Sequence, residues 1–228
     1  MQDFLDAPLE KMQLLSVEIA KKGDQEMSEQ IKHIGSVFED QQELLSALIK
    51  LYSPEGIELD PMYHKGNFYL DVEKPKMMFD INPTEKDCGY ADARKLPLEK
   101  NSINSMILDP PFVFGVHGKN GTHQKNNRMA KEFGIFDSFR ELSLLYQEIL
   151  YEAYRILKKS GTLIFKCQDY TDSKTTLTHC YVYQWAMNVG FKVEDIAILN
   201  NTNHKIYNPN LTQRHLRKYH TYFLVMKK

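Results

Sequence analysis

Three short apolar runs each end in aspartate: Ile57-Glu58-Leu59-Asp60, Met77-Met78-Phe79-Asp80 and Met106-Ile107-Leu108-Asp109. Runs of this length, separated by turn residues and helical stretches, are strands of an alternating α/β unit. Open, mostly parallel sheets bind ligands beyond the carboxyl ends of their strands, where the strand order reverses. If the three runs are neighbours, their carboxylates meet in one cleft. Asp also ends strands because it starts turns, so each one alone says little. Three in succession, the last followed by Pro110-Pro111-Phe112, say more.

The remaining pattern fits the same class. Candidate strands lie at residues 57–60, 76–80, 105–109, 162–167, 192–199 and 221–226. Ser138 and Glu141 form a capping box that opens a helix, with Phe139, Leu142, Leu145, Tyr146, Ile149, Ala153 and Ile156 on one side and a stop at Lys158-Lys159-Ser160-Gly161. A second helix spans about 174–189, with Tyr181, Val182, Trp185 and Val189 inward and Gly190 as its stop. Residues 1–52 read as a helical amino-terminal segment of two helices, in which Ile31, Ile34, Phe38, Leu45 and Leu48 recur at helix spacing and Lys21-Lys22-Gly23-Asp24 marks the break. The expectation is therefore a helical segment at 1–52 and an α/β domain at 53–228, a mostly parallel twisted sheet with helices on both faces.

A chain of 228 residues, 42% hydrophobic and 26% charged, is long enough to bury a sizeable core and too polar for a membrane protein. The acidic start, Met1-Gln2-Asp3-Phe4-Leu5-Asp6, does not read as a signal peptide. A soluble, cytoplasmic protein without membrane contact is expected. Three scattered cysteines, Cys88, Cys167 and Cys180, suggest neither disulfides nor zinc, and the histidines show no metal-ligand spacing; no metal is expected.

The net charge of −1 hides an asymmetry. Residues 1–60 hold 13 acidic and 5 basic side chains, a segment that repels polyanions. Residues 196–228 have no acid and six bases: Lys205, Arg214, Arg217, Lys218, Lys227 and Lys228. Lys119, Lys125 and Arg128 belong to a second basic stretch at 113–132, rich in Gly, Asn and His. A single basic run is ordinarily a solvated surface, but two beside a candidate active site point toward phosphates.

Asp80 follows Asp60 by 20 residues, the interval at which an acid accepts hydrogen bonds from a ribose, but the intervening loop holds Gly66 alone where a dinucleotide fingerprint wants three glycines. A nucleoside with a cationic centre and no phosphate chain suits those carboxylates better, and S-adenosylmethionine is one.

Asp109-Pro110-Pro111-Phe112 resembles the catalytic motif of the amino-methyltransferases that modify exocyclic amines of nucleobases. The order of segments is similar to that family as well. Its cofactor loop looks like the stretch containing Asp60, Pro61, Tyr63, Gly66, Asn67 and Phe68, its ribose-binding acid like Asp80, and its adenine-contacting segment like Ala91, Asp92 and Ala93. The ending from Gln213 to Phe223 resembles small bacterial and phage adenine-specific DNA methyltransferases. His64 stands where the family commonly has glycine.

The resemblance covers roughly 53–228 and implies a Rossmann-like methyltransferase fold with S-adenosylmethionine as cofactor. It implies Asp109, Pro110, Pro111 and Phe112 as catalytic residues, methylating adenine N6 in DNA. Adenine in RNA, cytosine N4 and a non-catalytic nucleic-acid-binding subunit remain open alternatives. Lys119, Lys125, Arg128, Lys205, Arg214, Arg217 and Lys218 are the candidate nucleic-acid contacts, and the amino-terminal helices could pair two copies or bind a partner subunit.

Overall fold

The computed structural model describes residues 33–114, 136–171, 174–201, 212, 215–216 and 218–228. The chain divides into two units, Met1–Gly35 and Ser36–Lys228. Nearly all of the first lies outside the described residues, and with it the first expected helix. The second carries β1 (Val37–Phe38), α1 (Gln41–Tyr52), β2 (Leu59–Asp60), β3 (Met77–Asp80), β4 (Gly89–Tyr90) and β5 (Ile103–Leu108), followed by α2 (Phe139–Ile156) and β6 (Leu157–Cys167). Then come β7 (Tyr170–Thr171), β8 (Thr175–Thr176), α3 (Thr178–Val189), β9 (Lys192–Asn200) and β10 (His220–Lys227).

Eight strands form one sheet in the order β1-β9-β10-β6-β5-β2-β3-β4, while β7 and β8 pair separately. Within the eight-stranded sheet β10 runs antiparallel to both β6 and β9, and the other pairings are parallel; β7 and β8 are antiparallel. From β2 the chain steps outward to β3 and β4, then returns to lay β5 and β6 on the other side of β2. The strand order thus reverses between β2 and β5, which end at Asp60 and next to Asp109. This is a Rossmann-like, doubly wound fold.

Both faces of the central strands are covered, and the side chains divide with period two. Met106, Leu108, Leu163, Phe165, Leu224 and Met226 pack with Leu142, Tyr146, Ile149, Val182 and Ala186 of α2 and α3. Ile107, Ile164, Phe223 and Val225 pack on the other side with Leu44, Leu45 and Leu48 of α1 and with Tyr63 and Tyr69.

Three local readings of the sequence change. Val37 and Phe38 form a short edge strand, paired in parallel with Ile198 and Leu199, and the helix starts only at Gln41, where Asp40 caps it by accepting from the amides of Gln42 and Glu43. Residues 158–161 do not separate helix from strand. α2 passes directly into β6 at Leu157, and Lys158-Lys159-Ser160-Gly161 bulge between the pairs Ile103–Leu157 and Ser105–Thr162. Tyr181 is exposed rather than inward; Val182 and Ala186 take the buried side of α3, Trp185 and Val189 its flank. Gly190 ends α3 in a left-handed conformation, as expected. None of the helices among the described residues is long and apolar enough to cross a membrane.

Candidate active site

β5, β2 and β3 are adjacent, so Asp109, Asp60 and Asp80 do end side by side. Asp60 is the deepest, at 1% exposure. Its Oδ1 accepts from the Met62 amide at 2.8 Å and its Oδ2 from the Tyr69 hydroxyl at 2.7 Å. Burial, opposed by those two hydrogen bonds and assisted by repulsion from Asp109 and Asp80, pushes its carboxyl up to about 7. Tyr69 is buried in turn and stacks on Tyr63 at 5.8 Å, so the loop after β2 folds back over the strand end.

That loop turns in the left-handed region at two positions. His64 has φ of +50°, which explains why a glycine would serve there, and its amide donates to Asp80 Oδ2 at 2.9 Å. Gly66 has φ of +70°, and a Cβ there would run into the Tyr63 ring. Tyr63 itself is buried in the core under α1, Asn67 is exposed, and Phe68 is half-buried against Tyr69 and Phe223. Gln42 at the start of α1 clamps the loop: its Nε2 donates to the Phe68 carbonyl, and its Oε1 accepts from the amides of Leu70 and Asp71.

Asp80 accepts from the amides of His64 and Asn82, which aims the carboxylate yet leaves it acceptor capacity. Asp92 is held by Arg94, whose Nε reaches Oδ1 and Oδ2 at 3.0 Å and whose Nη2 reaches Oδ2 at 2.6 Å. These bonds hold the Asp92 carboxyl below its usual range. A cavity of about 500 Å³, a size suited to a small-molecule ligand, opens between Pro61 and Met62, Ile81, Asp92 and Ala93, and Pro111. Leu144 and Leu145 of α2 add apolar wall. Apolar sides for a base, carboxylates for hydroxyls and amines, and proximity to Asp60 fit an adenosine-containing cation such as S-adenosylmethionine.

Beyond β5, Pro110 is buried and Pro111 and Phe112 are half-buried. The two prolines restrict the backbone, and the buried Tyr146 of α2 anchors it by donating its hydroxyl to the Pro111 carbonyl at 2.9 Å. Asp109 Oδ2 accepts from Lys166 Nζ of β6 at 2.8 Å. Among the described residues nothing donates to Asp109 Oδ1 or to the Pro110 carbonyl. Two acceptors in rigid, neighbouring positions stand beside a wall of the cavity.

Of the expected nucleic-acid contacts, Lys119, Lys125, Arg128, Lys205, Arg214 and Arg217 lie outside the described residues; Lys218 is half-buried and donates to the Leu216 carbonyl. Sequence reasoning missed Tyr69, Ile81, Arg94 and Lys166 as parts of this site and read Tyr146 only as core. Lys166 had a signal, a lone charge in the apolar run of β6; the others are set by tertiary contact.

A family model described as DNA methylase, of the N6/N4 methyltransferases, matches residues 103–228. No curated protein matches the chain. Among solved structures, a candidate DNA modification methylase from Thermus thermophilus is 14% identical over 60% of this chain and 52% of its own, with a TM-score of 0.42. The same protein complexed with S-adenosyl-L-methionine is 14% identical over 60% of this chain and 53% of its own, with a TM-score of 0.39. This chain thus spans about half the length of that protein. An S-adenosylmethionine-dependent methyltransferase from Thermotoga maritima, a candidate histamine N-methyltransferase, is 17% identical over 83% and 90% of the two chains, with a TM-score of 0.47.

Proposed function

The chain belongs to the DNA methylase family of N6/N4 methyltransferases, and from that premise we propose that it methylates the N6 amine of adenine in DNA, with S-adenosylmethionine as methyl donor. The observation that carries the proposal is the pair of acceptors, Asp109 Oδ1 and the Pro110 carbonyl, to which nothing donates among the described residues, next to Pro111 on the cavity wall.

An exocyclic amine on a base is a poor nucleophile because its lone pair is delocalised into the ring. Asp109 and Pro110 each accept one of its N–H bonds, which concentrates charge on nitrogen as the new bond forms. Both acceptors are fixed before substrate arrives, so little reorganisation remains. Phe112 offers a face on which the base can stack. Asp80 takes the ribose hydroxyls, while Asp92 and Ala93 border the adenine. S-adenosylmethionine, when bound, supplies a methyl group made electrophilic by its sulfonium. Buried Asp60, with Tyr69, shapes the loop around it.

Adenine is favoured over cytosine because the motif begins with Asp, where Ser would resemble the cytosine enzymes. A paired base cannot reach such a pocket, so the target is flipped out or single-stranded. Lys119, Lys125 and Arg128, with Lys205, Arg214, Arg217 and Lys218, are the proposed phosphate contacts.

The test is nucleoside analysis after incubation with methyl-labelled S-adenosylmethionine and unmethylated DNA or RNA. Label in N6-methyldeoxyadenosine supports the proposal. N4-methyldeoxycytidine overturns the choice of base, methylated ribonucleosides alone overturn the choice of polymer, and absence of product overturns the activity.

A further inference from the structure

Lys166 lies near the end of β6, in a strand whose neighbouring Ile164, Phe165 and Cys167 are buried. A cation in such a strand is costly unless it is paired. Its side chain is 14% exposed, and its ammonium is fixed from several directions. Asp109 Oδ2 is 2.8 Å away, and Gln41 Oε1 of α1 is at 3.5 Å. The ring of Phe68, from the loop after β2, lies 4.7 Å below it, and the ring of Phe223 is at 5.9 Å. The β6–β10 register sets Phe223 directly opposite Lys166. Asp109 follows Leu108, the partner of Phe165, so it stands at the level of Lys166 on the next strand. An exposed ion pair between two flexible side chains would fix little. Here the cation is cradled by two aromatic faces and cannot follow the carboxylate wherever it rotates.

The geometry points to Lys166 as the positioning residue of Asp109: by occupying Oδ2 it fixes the rotation of the carboxylate and leaves Oδ1 turned toward the substrate amine. Lys166 touches neither base nor methyl donor and acts through Asp109 alone. It also offsets one negative charge where three carboxylates end neighbouring strands, which keeps Asp109 and Asp60 from repelling each other unopposed. The inference rests on the proposed methyl transfer.

The test compares wild type with Lys166→Met, similar in length and uncharged, and with Lys166→Arg, which keeps the charge. Three quantities are read: kcat and KM for methyl transfer to DNA, the calorimetric Kd for S-adenosylmethionine, and the thermal unfolding midpoint. For Lys166→Met the expected result is a kcat lower by about 100-fold, the scale of a misplaced reacting group. The Kd is expected to stay within about threefold and the midpoint to hold, which separates loss in the transition state from loss of binding. Lys166→Arg, whose guanidinium can still donate to a carboxylate and face an aromatic ring, should recover at least about tenfold of the lost kcat. Wild-type kcat in Lys166→Met overturns the inference, and so does a loss matched by an equal rise in Kd or explained by a collapsed midpoint in a variant that folds. If Lys166→Met fails to fold, Lys166→Gln carries the same expectations and the same refutation. An inactive wild type overturns the proposed function and the inference with it, and is seen before any variant is made; an active wild type with an unaffected variant overturns the inference alone.

Discussion

Asp60 carries the plainest consequence of burial. Its carboxyl is pushed up to about 7, whereas an aspartate in the unfolded chain ionises at about 4. Between those values the folded chain holds a proton that the unfolded chain has lost, so rising pH favours unfolding until Asp60 ionises in both states. Asp60→Asn removes that dependence: its amide can donate to the Tyr69 hydroxyl while its carbonyl accepts from the Met62 amide. The stability of wild type relative to Asp60→Asn should therefore fall as pH rises from about 4 to about 7 and then level off. Thermal unfolding of both proteins at pH 5 and pH 8 checks this, and a pH-independent difference would refute it. The position of Asp60 was readable from the sequence because strand-ending acids are a local pattern. Its partner Tyr69 was not, because a hydroxyl nine residues away acquires its role only when the loop folds back. Lys166 stands out as a charge in the apolar run of β6, but its pairing with Asp109, 57 residues away, is set only by the strand order.

At the scale of elements, α1 is more than a cover for the sheet. Gln42 makes three hydrogen bonds to the backbone of the loop after β2, at Phe68, Leu70 and Asp71. The loop holds Asp60 and Asp80 in register through Tyr69 and the His64 amide, so loosening one end should be felt at the cavity. Gln42→Ala is expected to weaken S-adenosylmethionine binding by about tenfold, or about 1.4 kcal/mol. Calorimetry reads this directly, and an unchanged Kd would show that the clamp does not shape the cavity. Most elements were legible because both faces of the sheet are covered and the strands read as continuous apolar runs. Val37 and Phe38 misled because a two-residue edge strand has no periodicity of its own and is defined by its partners in β9. Residues 158–161 carry turn chemistry, which here serves a bulge inside β6 rather than a break before it.

At the scale of the molecule, the doubly wound order places the reversal between β2 and β5, and all three aspartates follow from that placement. The sequence showed the acids but not the order of strands, which depends on long-range pairing. Charge is the other molecular property, and residues 196–228 bear six bases and no acid. Replacing Arg214, Arg217 and Lys218 together by neutral residues is predicted to weaken DNA binding and to lower the slope of log affinity against log salt by about 2 to 3. Titrations at several salt concentrations check it, and an unchanged slope would remove that surface from the interface.

In the proposed reaction Asp109 engages the amine undergoing methylation and is not needed to hold the methyl donor. Methyl transfer to DNA and calorimetric binding of S-adenosylmethionine, measured together for Asp109→Ala, test this most directly. The expected result is transfer lost and binding kept; transfer at the wild-type rate would show that Asp109 does not engage the amine.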